Sequence, residues 1–577
     1  MFKKVLCFFT NSIWFLLCVK HYYYFKKASL DIEYVQKHLL LRILKTNSKT
    51  MFGKRYEFSK IKSIADFQSK VPLSNYDSYL AYIDLIWQGK QNVLTKEPVL
   101  TMIPSSGSTA PSKYIPFTKS LQQEFWQGIN PWICDLFLNK KRLLLGSSYW
   151  AISPIGGNNR IDGKIKIGFE EDSEYLGKLG KWLSNIVFAV PKEVVQIKDI
   201  EAWRYVTLVF LLKDKNLAYI SVWNPTFLML LIKPILSWSQ LLVNDIENGT
   251  ITTPVNIDTG LKRKILKKLS NDKKRAKELR FIFERWKTKH NNLKGGISLY
   301  EEIWPNLLLI SCWTDGQAAH YIEELKNYFP NVEIQPKGLI ATEGIVSFPL
   351  IGEEGTPLSI NSHLFEFVEI GKIEQAEGEY FHHPKLAHQL RIGKLYSVII
   401  TTSGGLYRYR LQDIVKVVGF KKQCPLINFV NKEDKISDLV GEKLNEYHVL
   451  CVLNEVFRDY SLSPLFHMIA PEKGLNHSNY FYTVFLQFLH TDSITTNLLK
   501  SLVEKIEEKL QENYHYRYCR NLGQLSELRI FVINSDYKVQ ETYLRTCQSS
   551  GQILGTIKPS VLSSRIGWAK LFEGRFI

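Results

Sequence analysis

Between residues 97 and 420, short runs rich in branched and aromatic residues alternate with helical stretches, which limits the chain to an α/β architecture with sheet cores. RLLLG (142–146), NLAYISVW (216–223), LLLISCW (307–313), LYSVIITT (395–402) and DIVKVVGF (413–420) predict strands. IEAWRYVTLVFLLKD (200–214) and TDGQAAHYIEELKNYF (314–329) predict helices between them. Residues 1–95 read as helices and turns, with YVQKHLLLRILKTN (34–47) as the clearest case. After about 430 the order becomes helix, strand, helix, strand, enough for a small α+β domain. The expected organisation is therefore a large N-terminal domain over 1–430, with β-sheets flanked by helices, and a smaller mobile C-terminal domain over 431–577. A chain of 577 residues needs at least two such cores.

The formal charge of +18 is concentrated. Residues 261–290 hold thirteen Lys or Arg against three Asp or Glu, and their apolar residues recur at helical spacing. With no nucleic-acid motif beside it, the window reads as two solvated amphipathic helices, and no nucleic-acid partner is expected. The N-terminus, MFKKVLCFFTNSIWFLLCVKHYYYF, has the charge profile of a signal peptide but lacks a small-residue cleavage site. Its apolar stretch is shorter than the roughly 20 residues that span a bilayer. It is expected to be a helix packed on the body of the protein, in preference to one dipped into a membrane surface. The eight cysteines form neither a zinc spacing nor a disulfide framework, so a cytoplasmic location with free thiols is expected.

Several stretches carry possible chemistry. PSSGSTAPSK (104–113) places Ser105, Ser106, Gly107, Ser108, Thr109 and Lys113 after a candidate strand. Hydroxyls, successive N–H groups and a lysine can hold phosphate oxygens, although the spacing is not that of a P-loop and a polar turn is the simpler reading. Thr342 and Glu343, in PKGLIATEGIVSFPL (336–350), stand where an apolar run meets Gly344. A carboxylate there can bind Mg²⁺ alongside nucleotide phosphates, or be a surface acid at a strand end. In GGLYRYRLQDIVKVVGF (404–420), Arg408 and Arg410 lie two apart, so a strand would turn both to one face with Tyr407 and Tyr409 opposite. Asp413 suits ribose hydroxyls, whereas cross-strand ion pairs are the plainer use of these charges. NKEDKISDLVGEKLNE (431–446) suits a joint between domains, and Lys558 sits in a Gly- and Pro-bounded turn. EFWQGINPWICDLFL (124–138) reads equally as an acyl pocket or as core.

The order of these stretches resembles that of adenylate-forming enzymes. More narrowly, with TMFGKRYEFSKIKSIADFQSKVPLSNYDSY, YWAISP, NLLLISCWTDG, FEFVEI and VGEKLNE, it resembles the auxin-responsive acyl-acid amido synthetases, the Gretchen Hagen family, in its bacterial branch. The resemblance implies an ATP-dependent ligase that adenylates a carboxylic acid, with Mg²⁺, and passes the acyl group to the amine of an amino acid. It implies that Ser105 to Thr109 and Lys113 hold the ATP phosphates, and that Thr342 contacts phosphate while Glu343 ligates Mg²⁺. Tyr409, Arg410 and Asp413 match the third nucleotide motif, with Asp413 on the ribose. Asp434 and Lys435 match the joint, Lys443 a lysine that follows it, and Lys558 the late lysine that swings towards the α-phosphate. Leu339 replaces a frequent aromatic, and Gln412 replaces the glycine of a Tyr-Arg-x-Gly-Asp pattern. A thiol acceptor such as coenzyme A, and a catalytically weakened nucleotide-binding member, are the alternatives.

Overall fold

The computed structural model describes residues 2–104, 113–150, 161–162, 165–167, 183, 185–288, 298–370, 384–433, 435–474, 480–489, 494–550, 552, 557 and 560–577. The chain divides into two compact units. One contains the residues up to Leu411 together with Val415–Phe429, and the other contains Gln412–Ile414, Val430–Gln552 and Ile557–Ile577.

The larger unit opens with α1 (Phe2–Ala28), α2 (Ile32–Asn47), α3 (Met51–Arg55), α4 (Ile64–Lys70) and α5 (Leu80–Trp87). Sequence-coded caps set their starts: Asp31 accepts the Tyr34 N–H, and Ser63 with Asp66 closes a capping box. Cys7, Asn11, Trp14, Cys18, Phe25 and Ala28 are buried on α1, at the three- and four-residue spacing of one helix face. That face lies along α6 (Lys119–Asn139).

Two sheets follow. β1 (Thr101–Pro104), β2 (Tyr114–Phe117), β4 (Ile161–Asp162) and β5 (Ile165–Ile167) form one, in the order β2-β1-β5-β4. β3 (Ser147–Trp150), β6 (Leu217–Ser221), β7 (Leu309–Cys312) and β8 (Glu333–Pro336) form the other, parallel throughout. Its strands β6 and β7 are buried at every position, as expected of a sheet covered on both faces. A larger sheet takes the order β11-β10-β12-β13-β14-β9, from β9 (Thr356–Pro357), β10 (Leu364–Glu369), β11 (Lys385–Leu386), β12 (Leu395–Thr401), β13 (Tyr409–Lys421) and β14 (Cys424–Lys432).

The smaller unit contains the short pair β15 (Ile436–Ser437) and β16 (Leu444–Asn445). Its main sheet runs β17 (Phe466–Lys473), β18 (Tyr480–Gln487), β19 (Arg529–Ile533) and β20 (Gly574–Phe576) in sequence order. The helices Glu446–Asp459 and Thr496–Leu510 bury Val449, Leu453, Leu502 and Ile506 in its core.

Two local expectations change. RLLLG is a 3-10 helix, Lys141–Leu145, and the strand starts at Ser147. Of its three leucines only Leu143 is fully buried, and its carbonyls face α1, where Asn11 Nδ2 donates to Leu143 O at 3.2 Å. The basic window forms the helices Thr259–Leu266 and Lys273–Thr288, and several of its charges are used internally. Arg275 is buried and donates to the carbonyls of Leu212 (2.8 Å) and Ile303 (2.5 Å), while Arg280 pairs with Glu247 at 2.7 Å. All eight cysteines are free thiols, and all but Cys451 are buried.

Candidate functional site

Thr342 and Glu343 form the tip of a tight turn. Ala341 and Gly344 exchange backbone hydrogen bonds at 3.0 and 3.2 Å, and Ile340 bridges Ile345 across the turn. Both tip residues are half-buried. Behind the tip, the Ile345 N–H donates to His363 Nε2 at 3.1 Å, so Nε2 is unprotonated and the ring's proton is on Nδ1. That nitrogen faces the buried Glu124 carboxylate of α6 at 3.1 Å. A Cβ on Gly344 would lie 2.6 Å from His363 Nε2, and one on Gly128 of α6 would lie 2.4 Å from Ile345 Cδ1. Both glycines are therefore required by close approach. Glu124 also accepts the Ser403 N–H at 3.0 Å, tying the entry of the third motif to the same carboxylate.

A segment given no role from sequence, VPLSNYDSY (71–79), ties the motifs together. The Ser74 N–H donates to Arg408 O at 3.0 Å, and the Arg410 N–H donates to Ser74 O at 2.9 Å. Ser74 Oγ and the Tyr79 hydroxyl each donate to Tyr407 O at 2.9 Å. On the same segment, the Tyr76 hydroxyl accepts the Tyr114 N–H at 2.7 Å, at the start of β2, which follows the Ser/Gly/Thr stretch in sequence. Burial pushes the Tyr76 phenol above its ordinary pKa, and the negative charge of Glu343 pushes in the same direction. Tyr76 thus fastens the end of the first motif to this segment, while Ser74 holds the third. In sequence this stretch counted only as part of the family resemblance; the partners of Tyr76 and Tyr79 lie far along the chain.

The third motif departs from the strand expected. Arg408 has φ +51° and precedes β13, so Arg408 and Arg410 do not share a strand face. Arg408 is buried; its Nε lies 3.2 Å and its Nη2 3.0 Å from Glu366, and its Nη1 donates to Gln68 O and Val71 O. It is a packing residue. Tyr409 is likewise buried, its ring 6.1 Å from that of Tyr79. Arg410 is half-buried. Gln412 has φ +60°, the conformation that the replaced glycine would adopt without strain.

In the smaller unit, Asp413 is buried, with Oδ1 3.1 Å from Lys432 Nζ and without a hydrogen bond. It retains acceptor capacity for a hydroxyl. Lys435 is held by Glu446 at 3.2 Å and Ser560 Oγ at 3.4 Å. Lys443 is exposed at φ +40°, next to the buried Glu442, which accepts the N–H groups of Leu439 and Val440 at 2.9 Å each. Ser105, Ser106, Gly107, Ser108, Thr109, Asp434 and Lys558 lie outside the described residues; Lys113, half-buried, adjoins β2.

One further feature was not legible in sequence. Lys337, just beyond β8, is a buried cation whose Nζ donates to Ser221 Oγ at 2.5 Å and Val222 O at 3.1 Å and lies 4.9 Å over the Trp223 ring. It sits at the carboxyl ends of the parallel strands, where open α/β sheets bind ligands. Phe125, Ile129, Trp132 and Ile133 of α6 are buried in the hydrophobic core of the larger unit. A magnesium ion carried on a nucleotide needs only one or two protein carboxylates, and Glu343 at its turn fits that need. Among the described residues no three His, Cys, Asp or Glu side chains converge on a metal position.

Residues 22–334 match the GH3 family N-terminal domain, and residues 356–432 match the GH3 family central domain. The chain is 24% identical over 446 residues to an indole-3-acetic acid-amido synthetase, GH3.3, of Arabidopsis thaliana, covering 74% of this chain and 72% of that one. It is 23% identical over 441 residues… to a jasmonoyl-L-amino acid synthetase, JAR6, of Nicotiana attenuata, covering 73% of each. The solved structure of AtGH3.15 acyl acid amido synthetase in complex with 2,4-DB superposes with a TM-score of 0.76 at 18% identity, covering 96% of this chain and 95% of that one.

Proposed function

Because the chain belongs to the GH3 family, we propose that it is an ATP-dependent acyl-acid amido synthetase. A carboxylate oxygen attacks the α-phosphorus of ATP, the α–β bridging bond breaks, and pyrophosphate leaves. The amine of an amino acid then attacks the acyl carbon; AMP leaves and the amine loses a proton. The observation that carries this reading is the placement of Tyr76 and Ser74, which ties the end of the first motif at Tyr114 and the third motif to one segment.

The chain must stabilise charge on phosphoryl oxygens as pyrophosphate departs. We assign phosphate contacts to Ser105, Ser106, Gly107, Ser108, Thr109, Lys113 and Thr342, and the approach to the α-phosphate to Lys558. Arg410 and Lys443 are assigned to the nucleotide, with Tyr409 supporting them from the core, and Asp413 accepts from the ribose. Magnesium, when bound to the nucleotide through Glu343, neutralises phosphate charge. Asp434 and Lys435 are the joint of the smaller domain. Gln412 keeps the left-handed backbone of the motif, which favours an active enzyme over a weakened one. Free, mostly buried thiols support a cytoplasmic location, and identities of 22–24% to plant members support a branch apart from them, in line with the bacterial resemblance.

Exchange of labelled pyrophosphate into ATP, driven by a panel of carboxylic acids, tests the reading. Exchange with at least one acid, lost in Lys558→Ala with ATP binding retained, is expected. No exchange with any acid and no ATP binding would overturn it. Amino acids and coenzyme A, added to the acid that works, then identify the acceptor.

A further inference from the structure

α1 is apolar on both faces, yet only one is covered. Its inner face lies along α6, while Phe8, Phe9, Ile13, Leu16, Leu17 and Val19 are exposed, Leu16 by 69% and Phe9 by 61%. A helix that is apolar all round belongs in a core or against lipid. The charges on α1 indicate which. It carries Lys3, Lys4, Lys20, Lys26 and Lys27 and no acidic residue, with Tyr23 and Tyr24 exposed beside Lys20. Tyrosine and lysine at the edges of an apolar strip are the residues that settle at headgroup level. Asn11, on the inner face, donates to the carbonyls of Leu143, Leu144 and Gly146 at 3.0–3.2 Å, so the 3-10 helix that carries the exposed Lys141, Arg142 and Leu145 packs beside α1.

We propose that the outer face of α1 seats the protein on an anionic lipid surface, with the helix lying in the plane of the headgroups. By length and composition α1 could also cross a bilayer. Its inner face argues against crossing. Besides the three Asn11 bonds, the Tyr22 hydroxyl donates to Asp135 at 3.1 Å and His21 Nδ1 lies 3.1 Å from Asn130 Nδ2. A spanning helix would lose these partners in hydrocarbon. Placement at a membrane would bring the enzyme to acids that partition into lipid.

Flotation of the full-length protein with vesicles tests the proposal, using phosphatidylcholine alone or mixed with phosphatidylserine, at low and high salt. The protein is expected to float with the mixed vesicles at low salt, and binding should fall roughly tenfold at high salt or without phosphatidylserine. Phe9→Glu combined with Leu16→Glu should abolish flotation, and Lys20→Glu combined with Lys27→Glu should weaken it and flatten the salt dependence; circular dichroism verifies folding. The lipid and salt comparison on the unaltered protein decides the matter even if a variant misfolds. No flotation with mixed vesicles, or equal and salt-independent binding to both, would overturn the proposal. So would a dimer that the double glutamate variant converts to monomer without any vesicle binding. Retention in membranes of expressing cells through an alkaline carbonate wash would instead establish a spanning helix and overturn the in-plane arrangement.

Discussion

The Glu433 N–H donates to the carbonyl oxygen of Gln412 at 2.7 Å, while Gln412 itself holds φ +60°. A residue with a Cβ pays about 1–2 kcal/mol for that conformation, and glycine does not. Gln412→Gly should therefore leave stability unchanged or raise it by about 0.5–1 kcal/mol, after the greater unfolded-chain entropy of glycine is subtracted. Gln412→Val should lose about 1–2 kcal/mol, because a β-branched residue is poorly tolerated at positive φ. Urea unfolding of both variants measures this; a more stable valine variant would contradict it.

Gly344→Ala should damage the turn that carries Glu343. The added Cβ would meet His363 Nε2 at 2.6 Å, and the ring is fixed between the Ile345 N–H and Glu124. A loss of about 1–3 kcal/mol is expected, together with reduced pyrophosphate exchange. His363→Ala should make the alanine at 344 less harmful, so a double-mutant cycle should show coupling of at least about 0.5 kcal/mol. Additive effects would place the clash elsewhere.

Glu343→Gln should lower pyrophosphate exchange about a hundredfold and shift its magnesium dependence to higher concentrations. An unchanged magnesium titration would remove Glu343 from the metal.

Glu366→Ala should destabilise the larger unit by about 3–5 kcal/mol, since it leaves the buried Arg408 guanidinium without its carboxylate. Thermal unfolding that stays within about 1 kcal/mol of the parent would show that the carbonyls of Gln68 and Val71 suffice for Arg408.

Asp315→Asn should stabilise the protein at neutral pH. Burial holds the Asp315 carboxyl above its ordinary pKa, against the hydrogen bond from the Phe429 N–H at 3.1 Å. A raised folded pKa means that this group's contribution is fullest below the unfolded value, about 3.9, and falls as pH rises through the folded value. The advantage of asparagine should thus be present at pH 7 and disappear on acidification below about 4. Stability curves against pH measure it, and an advantage that grows towards acid would reverse the assignment.

The alternation of strand and helix, the caps at Asp31 and Ser63 and the order of the motifs are local properties, and the sequence by itself determined them. Periodicity and capping act over a few residues, so their signals survive in one dimension. Tertiary structure decided the rest. Arg408 and Arg410 look equivalent in GGLYRYRLQD, but a left-handed backbone at Arg408 turns it into the core against Glu366. Ser74 reaches Tyr407 across 333 residues, and Glu124 meets Ser403 across 279. The uncovered face of α1 was equally hidden, because its outer and inner residues are both apolar. Which polar groups pair, and which apolar face is covered, depends on packing partners distant in sequence, and those partners are set only when the chain folds.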